Sequence, residues 1–545
     1  MAPALRETRA SSRKIKLSMR SFLSASAITA AAAAADVAAT LASVPAVVAA
    51  THAGTPTHTV TPDTSRSFGV WEGWGTSLCW WANVLGDGPQ ASDIATLLFS
   101  TRANVTVGGG GAALADLPAL GLNIARYNAG GSSTAPDEKG EHMSLSKNMR
   151  AGGEVRGFWL DWGSADPDNA TCWDWSADAA QRAMLLQARD AVRADGDGGT
   201  PFVAELFSNS PMWWMLANHN PSGGRVGTAD NLQPWNQGDH AVYLATVAAR
   251  AATHWNVTFS SVDAFNEPAS GWWTATGSQE GCHFDPATQA AVVPLLRAEL
   301  DGRALQHVRV AASDENSYDL ALSTWRAFPA ASQKAVSQIN VHGYQEGSGD
   351  RAGLYAAAQQ AGVVLRNSEY GDGDGSGLGL AANLNLDFAQ LHPTAWVYWQ
   401  AFDGGGWGLV QGDNDRASIS APNPKYFVLA QYSRHIRPGD TIVAGGDGGH
   451  TVAATSARAG GTIVLVRLNQ GAAQSIKFDL SGLGVAPGAA VPRWCTQPDD
   501  KEGERYARHD DTTVGADGSF IAKFGKNTIC TFEVPMKMKT SASHH

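Results

Sequence analysis

Between residues 71 and 438 one alternation recurs eight times, and it limits the folds open to the chain. Short apolar runs ending in polar or aromatic residues are separated by Ala/Leu-rich stretches with helical spacing. The strand-type runs are Trp71–Thr76, Asn123–Asn128, Phe202–Asn209, Val262–Glu267, Val308–Ser313, Gln338–Tyr344, Val363–Glu369 and Ala395–Phe402. The helical stretches are Ala91–Ser100, Ala177–Arg193, Asp239–His254, Ala287–Asp301, Leu320–Phe328, Arg351–Gln360, Leu378–Leu391 and Lys425–Ile436. Strands covered on both faces by crossing helices belong to a parallel sheet. Eight of each predict an α/β fold, a (β/α)8 TIM barrel of about 370 residues. An open doubly wound sheet would place a glycine-rich phosphate turn after an early strand. Gly108–Gly111 is a glycine run in a loop and lacks that fingerprint.

At Gly439 the pattern changes to short alternating strands between turns rich in Gly, Asp and Asn: Thr451–Ser456, Thr462–Leu468, Ser475–Leu480, Arg493–Thr496, Ser519–Phe524 and Thr528–Val534. Residues 439–536 thus read as an antiparallel β-sandwich of about 100 residues. Residues 51–70 read as a linker and a strand joining that sandwich, and residues 537–545 as a disordered tail. Residues 1–50 carry Arg6, Arg9, Arg13, Lys14, Lys16 and Arg20, then an Ala-rich run to Ala50. That is the order of a secretory leader, and a start at Met19 would leave one of ordinary length. Asp36 and Ala in place of Leu argue against a membrane anchor. The expectation is a secreted, extracellular, monomeric product without stable membrane insertion. Three sequons, at Asn104, Asn169 and Asn256, fit it. Of the five cysteines, Cys495 and Cys530 fall in one C-terminal region and are the best candidate pair. The formal charge of −11 argues against nucleic acid or an anionic membrane surface as partner.

The functional reading comes from what ends the strands. Pro268 stops the run that carries Asn266 and Glu267, placing Glu267 at a strand's C-terminal end, where a barrel of this kind does its chemistry. The other strands end in Arg126 and Asn128, in Asn209, in His342 and Tyr344, in Glu369, and in Trp399. Nineteen tryptophans, many in loop-like stretches such as Trp272-Trp273, suit the C–H faces of sugar rings. Cleaving a glycosidic bond needs two carboxyl groups, one protonated and one ionised. Glu267 is assigned as acid/base and Glu369 as nucleophile. Arg126 would lower the pKa of Glu369, Tyr344 would donate a hydrogen bond to it, Asn266 would bind the sugar 2-hydroxyl and Trp399 would floor the site. Asn128, Asn209, His342 and Trp273 complete the substrate-binding set, although His342 reads more readily as a hydrogen-bonded barrel residue than as a ligand or base. Glu205, Glu315 and Glu346 are competing carboxylates, and Glu280 is read as shaping a subsite. Zinc-hydrolase and serine-hydrolase spacings are absent from the sequence, and neither metal nor cofactor is expected.

The motifs Trp71-Glu-Gly-Trp-Gly-Thr-Ser-Leu-Cys-Trp-Trp81, Asn123-Ile-Ala-Arg-Tyr-Asn128, Phe265-Asn-Glu-Pro268, Gly277-Ser-Gln-Glu-Gly-Cys282, Asn367-Ser-Glu-Tyr-Gly371 and Lys425-Tyr-Phe-Val-Leu-Ala-Gln-Tyr-Ser433 stand in this order along the chain. Together they resemble glycoside hydrolase family 30, and within it the secreted endo-β-1,6-galactanases. The resemblance implies a retaining mechanism with Glu267 as acid/base and Glu369 as nucleophile, and a barrel with a side β-sandwich. It implies endo cleavage of β-1,6-galactan, a polysaccharide. The alternatives are another activity of that family, on β-1,6-glucan or glucosylceramide, and a non-catalytic carbohydrate-binding protein.

Overall fold

The computed structural model describes residues 56–536, apart from 110, 112–113, 161–165, 197–198, 459–460 and 500. The expected leader and tail lie outside the described residues. Eight parallel strands close into a barrel: β1 (Gly73–Ser77), β2 (Ile124–Asn128), β3 (Val203–Phe207), β4 (Phe259–Asp263), β5 (Arg309–Glu315), β6 (Gln338–His342), β7 (Val364–Tyr370) and β8 (Ala395–Gln400). Pairing of β8 with β1 completes the ring. The helices outside it are α1 (Ala91–Phe99), α2 (Ala179–Ala194), α3 (Gln237–Arg250), α4 (Pro286–Gly302), α5 (Tyr318–Ala327), α6 (Arg351–Ala361), α7 (Leu378–Leu386) and α8 (Pro424–Ser433). Most are amphipathic: α1 buries Ile94, Leu97 and Leu98, and α3 buries Tyr243, Leu244, Val247 and Ala248, at the spacing of one helix face.

Most strand ends fall a residue or more from the sequence reading, and two of the differences matter for the site. β4 begins at Phe259 and stops at Asp263, so Glu267 lies in the following loop and not at the strand's last position. Two features end the strand. The Asp263 carboxylate accepts the Phe265 N–H at 3.2 Å, and Glu267 takes a left-handed backbone with φ of 49°. β5 runs on to Glu315 past the expected end at Ser313, which carries Asp314 to the barrel mouth. Two short helices, Trp81–Leu85 and Ala330–Ala335, were not anticipated.

The barrel interior is polar at its base. Glu205 pairs with Arg366 and accepts hydrogen bonds from Ser261 (3.1 Å) and Gln338 (3.0 Å). Glu72 pairs with Arg366 (2.8 Å) and Arg309 (3.1 Å) and accepts from Thr394 (2.6 Å). A cavity of about 610 Å³ opens at this end, but its carboxylate is consumed in these contacts.

Besides a three-stranded sheet after β8 (Phe402–Asp403, Val410–Asp413 and Ser418–Pro422), two sheets stand beside the barrel. One has seven antiparallel strands in the spatial order Ala507–His509, Arg493–Thr496, Thr528–Pro535, Thr462–Asn469, Thr451–Ser456, Thr441–Ala444 and Asp63–Val70. The other has three, His58–Val60, Gln474–Asp479 and Ser519–Phe524. Their inner faces meet through Phe478, Phe520 and Phe532, with Phe478 4.8 Å and 5.1 Å from the other two rings. The segment before the barrel supplies an edge strand to each sheet. Helix α8 is buried from Lys425 to Ser433 and is bonded to the sandwich, its Gln431 donating to Thr496 (2.9 Å) and accepting from Thr531 (2.7 Å). Cys495 and Cys530 face each other on neighbouring strands and form a disulfide. Among the described residues, no helix is long and apolar enough to cross a membrane.

Candidate active site

Arg126, near the end of β2, organises the barrel mouth. Its guanidinium is buried and lies 3.4 Å over the Phe207 ring. One amino group reaches the Glu369 carboxylate at 2.5 Å; the other donates to Asn266 Oδ1 at 2.8 Å and to Asp314. Tyr344 donates its hydroxyl to Glu369 Oε1 at 2.9 Å. His342, the last residue of β6, has its Nδ1 3.1 Å from Glu267 Oε1 and 3.4 Å from Glu369 Oε1. Its Nε2 makes an ionic contact with Asp314 Oδ1 at 3.2 Å. Asn316 donates to Glu267 Oε1 at 3.0 Å. One oxygen of Glu267 and one of Glu369 therefore lie within 4.8 Å of each other, with the imidazole nitrogen between them.

The electrostatics follow from burial and charge. Burial alone would make His342 less basic. The charges of Glu369 and Asp314, with hydrogen bonds to Asp314 and Glu267, reverse this and push it up to about 10. At neutral pH it is an imidazolium, whose nitrogens have no lone pair to offer a metal. Burial raises the Asp314 carboxyl too, but Arg126 and His342 outweigh it and hold Asp314 well below the usual carboxylate range. At Glu369 burial wins: its carboxyl is raised despite His342 and Arg126, with the charges of Glu267 and Asp314 adding to the rise. Tyr344 is pushed up by burial and by Glu369 and Glu267, and stays a hydrogen-bond donor. Three carboxyls, Glu267, Asp314 and Glu369, thus face two cations, Arg126 and His342. The set is electrically neutral when it holds one proton on a carboxyl.

The structure brings together Glu267, Glu369, Arg126, Asn266, His342 and Tyr344, six of the residues singled out in the sequence. Asn128 accepts the Asn209 N–H at 3.0 Å, and the Asn209 side chain is buried beside Cys79 with its carbonyl oxygen unpaired. Trp399 stands edge-on to Trp80 at 5.8 Å in an apolar cluster with Cys79 and Phe207, the ring that underlies Arg126. Trp273 is placed differently from the reading. Its ring is 4% exposed, packed against Gly281, and its indole N–H donates to the Glu267 carbonyl at 2.9 Å. It props the Glu267 loop, and its neighbour Trp272 is the exposed one. Glu315 accepts from Ala269 N (3.1 Å) and Thr324 (2.8 Å), and so anchors that loop from outside the site. Glu205 belongs to the barrel base and Glu346 is exposed. Glu280 is fully buried and accepts from Ser132 (2.6 Å), Val155 N (3.1 Å) and Gly131 N (3.3 Å). Burial nevertheless raises it to about 8. Asp314 and Asn316 were missed. The run Ser313-Asp-Glu-Asn316 directly after an apolar strand was the available signal.

A family model described as O-Glycosyl hydrolase family 30 matches residues 57–327. An endo-beta-1,6-galactanase of Hypocrea rufa is 50% identical over 478 residues, which cover 87% of this chain and 94% of the relative. This chain belongs to glycoside hydrolase family 30. Two solved structures share the family 30 chain's fold. The catalytic domain of the GH30 xylanase C of Talaromyces cellulolyticus matches with a TM-score of 0.63 at 18% identity, over 88% of this chain and 100% of its own. A conserved exported protein of Bacteroides fragilis matches with a TM-score of 0.66 at 14% identity, over 87% and 100%. At those identities the likeness establishes the architecture, and the family 30 membership makes the protein a glycoside hydrolase.

Proposed function

We propose that this family 30 hydrolase is a secreted, retaining endo-β-1,6-galactanase. The observation that carries the chemistry is the carboxyl pair, whose oxygens approach within 4.8 Å around His342 Nδ1. Retaining glycosidases hold their carboxyl groups roughly 5–5.5 Å apart, whereas inverting ones leave about 6.5–9.5 Å for a water. Glu369, with Arg126 and Tyr344 both donating to it, is the nucleophile. It attacks the anomeric carbon as the bond to the leaving oxygen breaks. Glu267, held by Asn316 and His342, gives that oxygen its proton. In the second step Glu267 takes a proton from water, the water attacks the anomeric carbon, and Glu369 departs. Arg126 occupies the oxygen of Asn266, which leaves the Asn266 amide N–H2 to donate to the sugar 2-hydroxyl.

The substrate reading is supported by the Hypocrea rufa relative, and export by the basic, Ala-rich N-terminal sequence. The test is hydrolysis of de-arabinosylated β-1,6-galactan with products sized over time. The reading requires a ladder of galactobiose and longer fragments. Release from β-1,6-glucan or glucosylceramide, with galactan untouched, would overturn the substrate and leave the retaining chemistry in place.

A further inference from the structure

Two tryptophans at the barrel mouth remain outside the mechanism just described. Most of the described indoles are buried; Trp235, ahead of α3, is 75% exposed, and in the loops directly after β4 and β8 Trp272 is 49% exposed and Trp407 is 41% exposed. Both are held in place. Trp272 stands edge-on to Trp273 with ring centres 6.2 Å apart, and Trp273 is tied to the Glu267 carbonyl. Trp407 accepts the Tyr398 hydroxyl on its backbone oxygen at 2.5 Å, and its indole edge lies against Gly373, where a β-carbon would stand 3.4 Å away. Gly373 follows Glu369 in the loop after β7, and Trp407 follows β8. Strands β4 and β8 lie four places apart in the eight-membered ring. The two indoles therefore flank the mouth from opposed loops, one next to the acid/base and one next to the nucleophile.

We infer that Trp272 and Trp407 are stacking platforms for galactose units on either side of the scissile bond, Trp272 for the leaving-group chain and Trp407 for the chain that becomes bonded to Glu369. This rests on the site being a galactan hydrolase. The β-galactosyl ring presents a patch of C–H bonds that matches an indole face, and burying that face removes apolar surface from water. The leaving oxygen must meet Glu267, so units beyond it run toward the Glu267 loop. Units beyond the anomeric carbon run the other way, toward the loops after β7 and β8. A β-1,6 linkage has one more rotatable bond than linkages between ring carbons. A platform on each side fixes the register of so flexible a chain, as internal cleavage requires.

The experiment uses full-length enzyme and a β-1,6-galactohexaose labelled at its reducing end. Trp407→Ala weakens the hold on the non-reducing side, so cleavage moves toward the non-reducing end and the labelled fragment lengthens. Trp272→Ala moves cleavage the other way and shortens the labelled fragment. In each variant KM on polymeric galactan rises about tenfold. Trp272→Phe and Trp407→Phe, which keep an aromatic face, recover most of it. Both side chains are exposed, so an unchanged melting temperature separates lost binding from lost fold. Active alanine variants with the parent's fragment pattern and KM overturn the inference alone, as do shifts in the same direction. A parent inert on galactan overturns the proposed function and this inference with it, because the occupant named is that glycan.

Discussion

His342 Nδ1 serves two glutamates that would otherwise repel each other, while the far side of the ring faces Asp314. A histidine held near 10 when folded, against about 6.5 in the unfolded chain, contributes stability that is fully present below about pH 6.5. That contribution fades as pH rises from there through 10. The melting temperature should therefore fall across this window, and the fall should be smaller in His342→Gln; equal slopes in parent and variant would contradict the charged imidazole. Asp314 acts in the opposite sense. Its carboxyl is depressed when folded, so its share is present above the ordinary aspartate range and is lost on acidification below it. For catalysis, Glu267→Gln should lower kcat/KM on galactan about 10²- to 10⁴-fold, the usual range for a general acid, while Glu369→Gln abolishes turnover by removing the nucleophile. An activated aryl galactoside needs little protonation of its leaving group. On that substrate the Glu267 variant should still show a burst of aryl alcohol and the Glu369 variant none. Glu267, Glu369, Arg126 and Tyr344 were legible in the sequence because each ends or follows an apolar run, and successive runs end at the same mouth. Asp314 and Asn316 escaped because the apolar pattern of the fifth run fades at Ser313 while the hydrogen-bonded strand continues. Nothing in a Trp-Trp pair on a loop states which ring faces solvent, so Trp273 was chosen where Trp272 is the exposed one.

The loop that follows β4 determines where the acid/base stands. Glu267 N donates to the Asp314 carbonyl at 2.8 Å, Trp273 holds the Glu267 carbonyl, and Glu315 holds the Ala269 N–H. Trp273→Phe keeps most of the ring and removes only the N–H donor. It should cost about 1 kcal/mol of stability, and kcat should drop more than KM rises. Equal losses of binding and turnover would mean that the ring touches substrate after all. Glu280 does the same work between loops, gathering Gly131, Ser132 and Val155 onto one carboxyl. Glu280→Ala strands those donors in the interior and should lower unfolding free energy by roughly 2–4 kcal/mol, measured by denaturant titration. The elements themselves followed the hydrophobic period closely. Strand ends did not, because a backbone bend such as that at Glu267 and a cap such as Asp263 are matters of a single residue.

For the molecule as a whole, α8 belongs to the barrel by sequence and to the sandwich by contact. Its side chains from Lys425 to Ser433 are all buried, so a chain ending at Pro438 would uncover the side of the helix that packs on the sandwich. Such a truncation should give no soluble, active enzyme, and the intact protein should unfold in a single calorimetric transition. Two separated transitions would show that barrel and sandwich stand independently. The Cys495–Cys530 disulfide closes a loop with a sequence separation of 35 on strands that are already paired. Replacing both cysteines by serine should cost no more than about 4 kcal/mol and leave turnover unchanged.

The first described strands are also among the last to find a partner. Thr57 meets Gln474 across a sequence separation of 417 residues, and Asp63–Val70 pairs with Thr441–Ala444. A ribosome adding about 5–20 residues per second makes the beginning of the chain wait roughly 20 to 80 s for its neighbour in the sheet. Throughout that interval the edge of the future sandwich has no template. Whatever receives the nascent chain must keep this one segment from pairing with the wrong strand until the end of the message has been read.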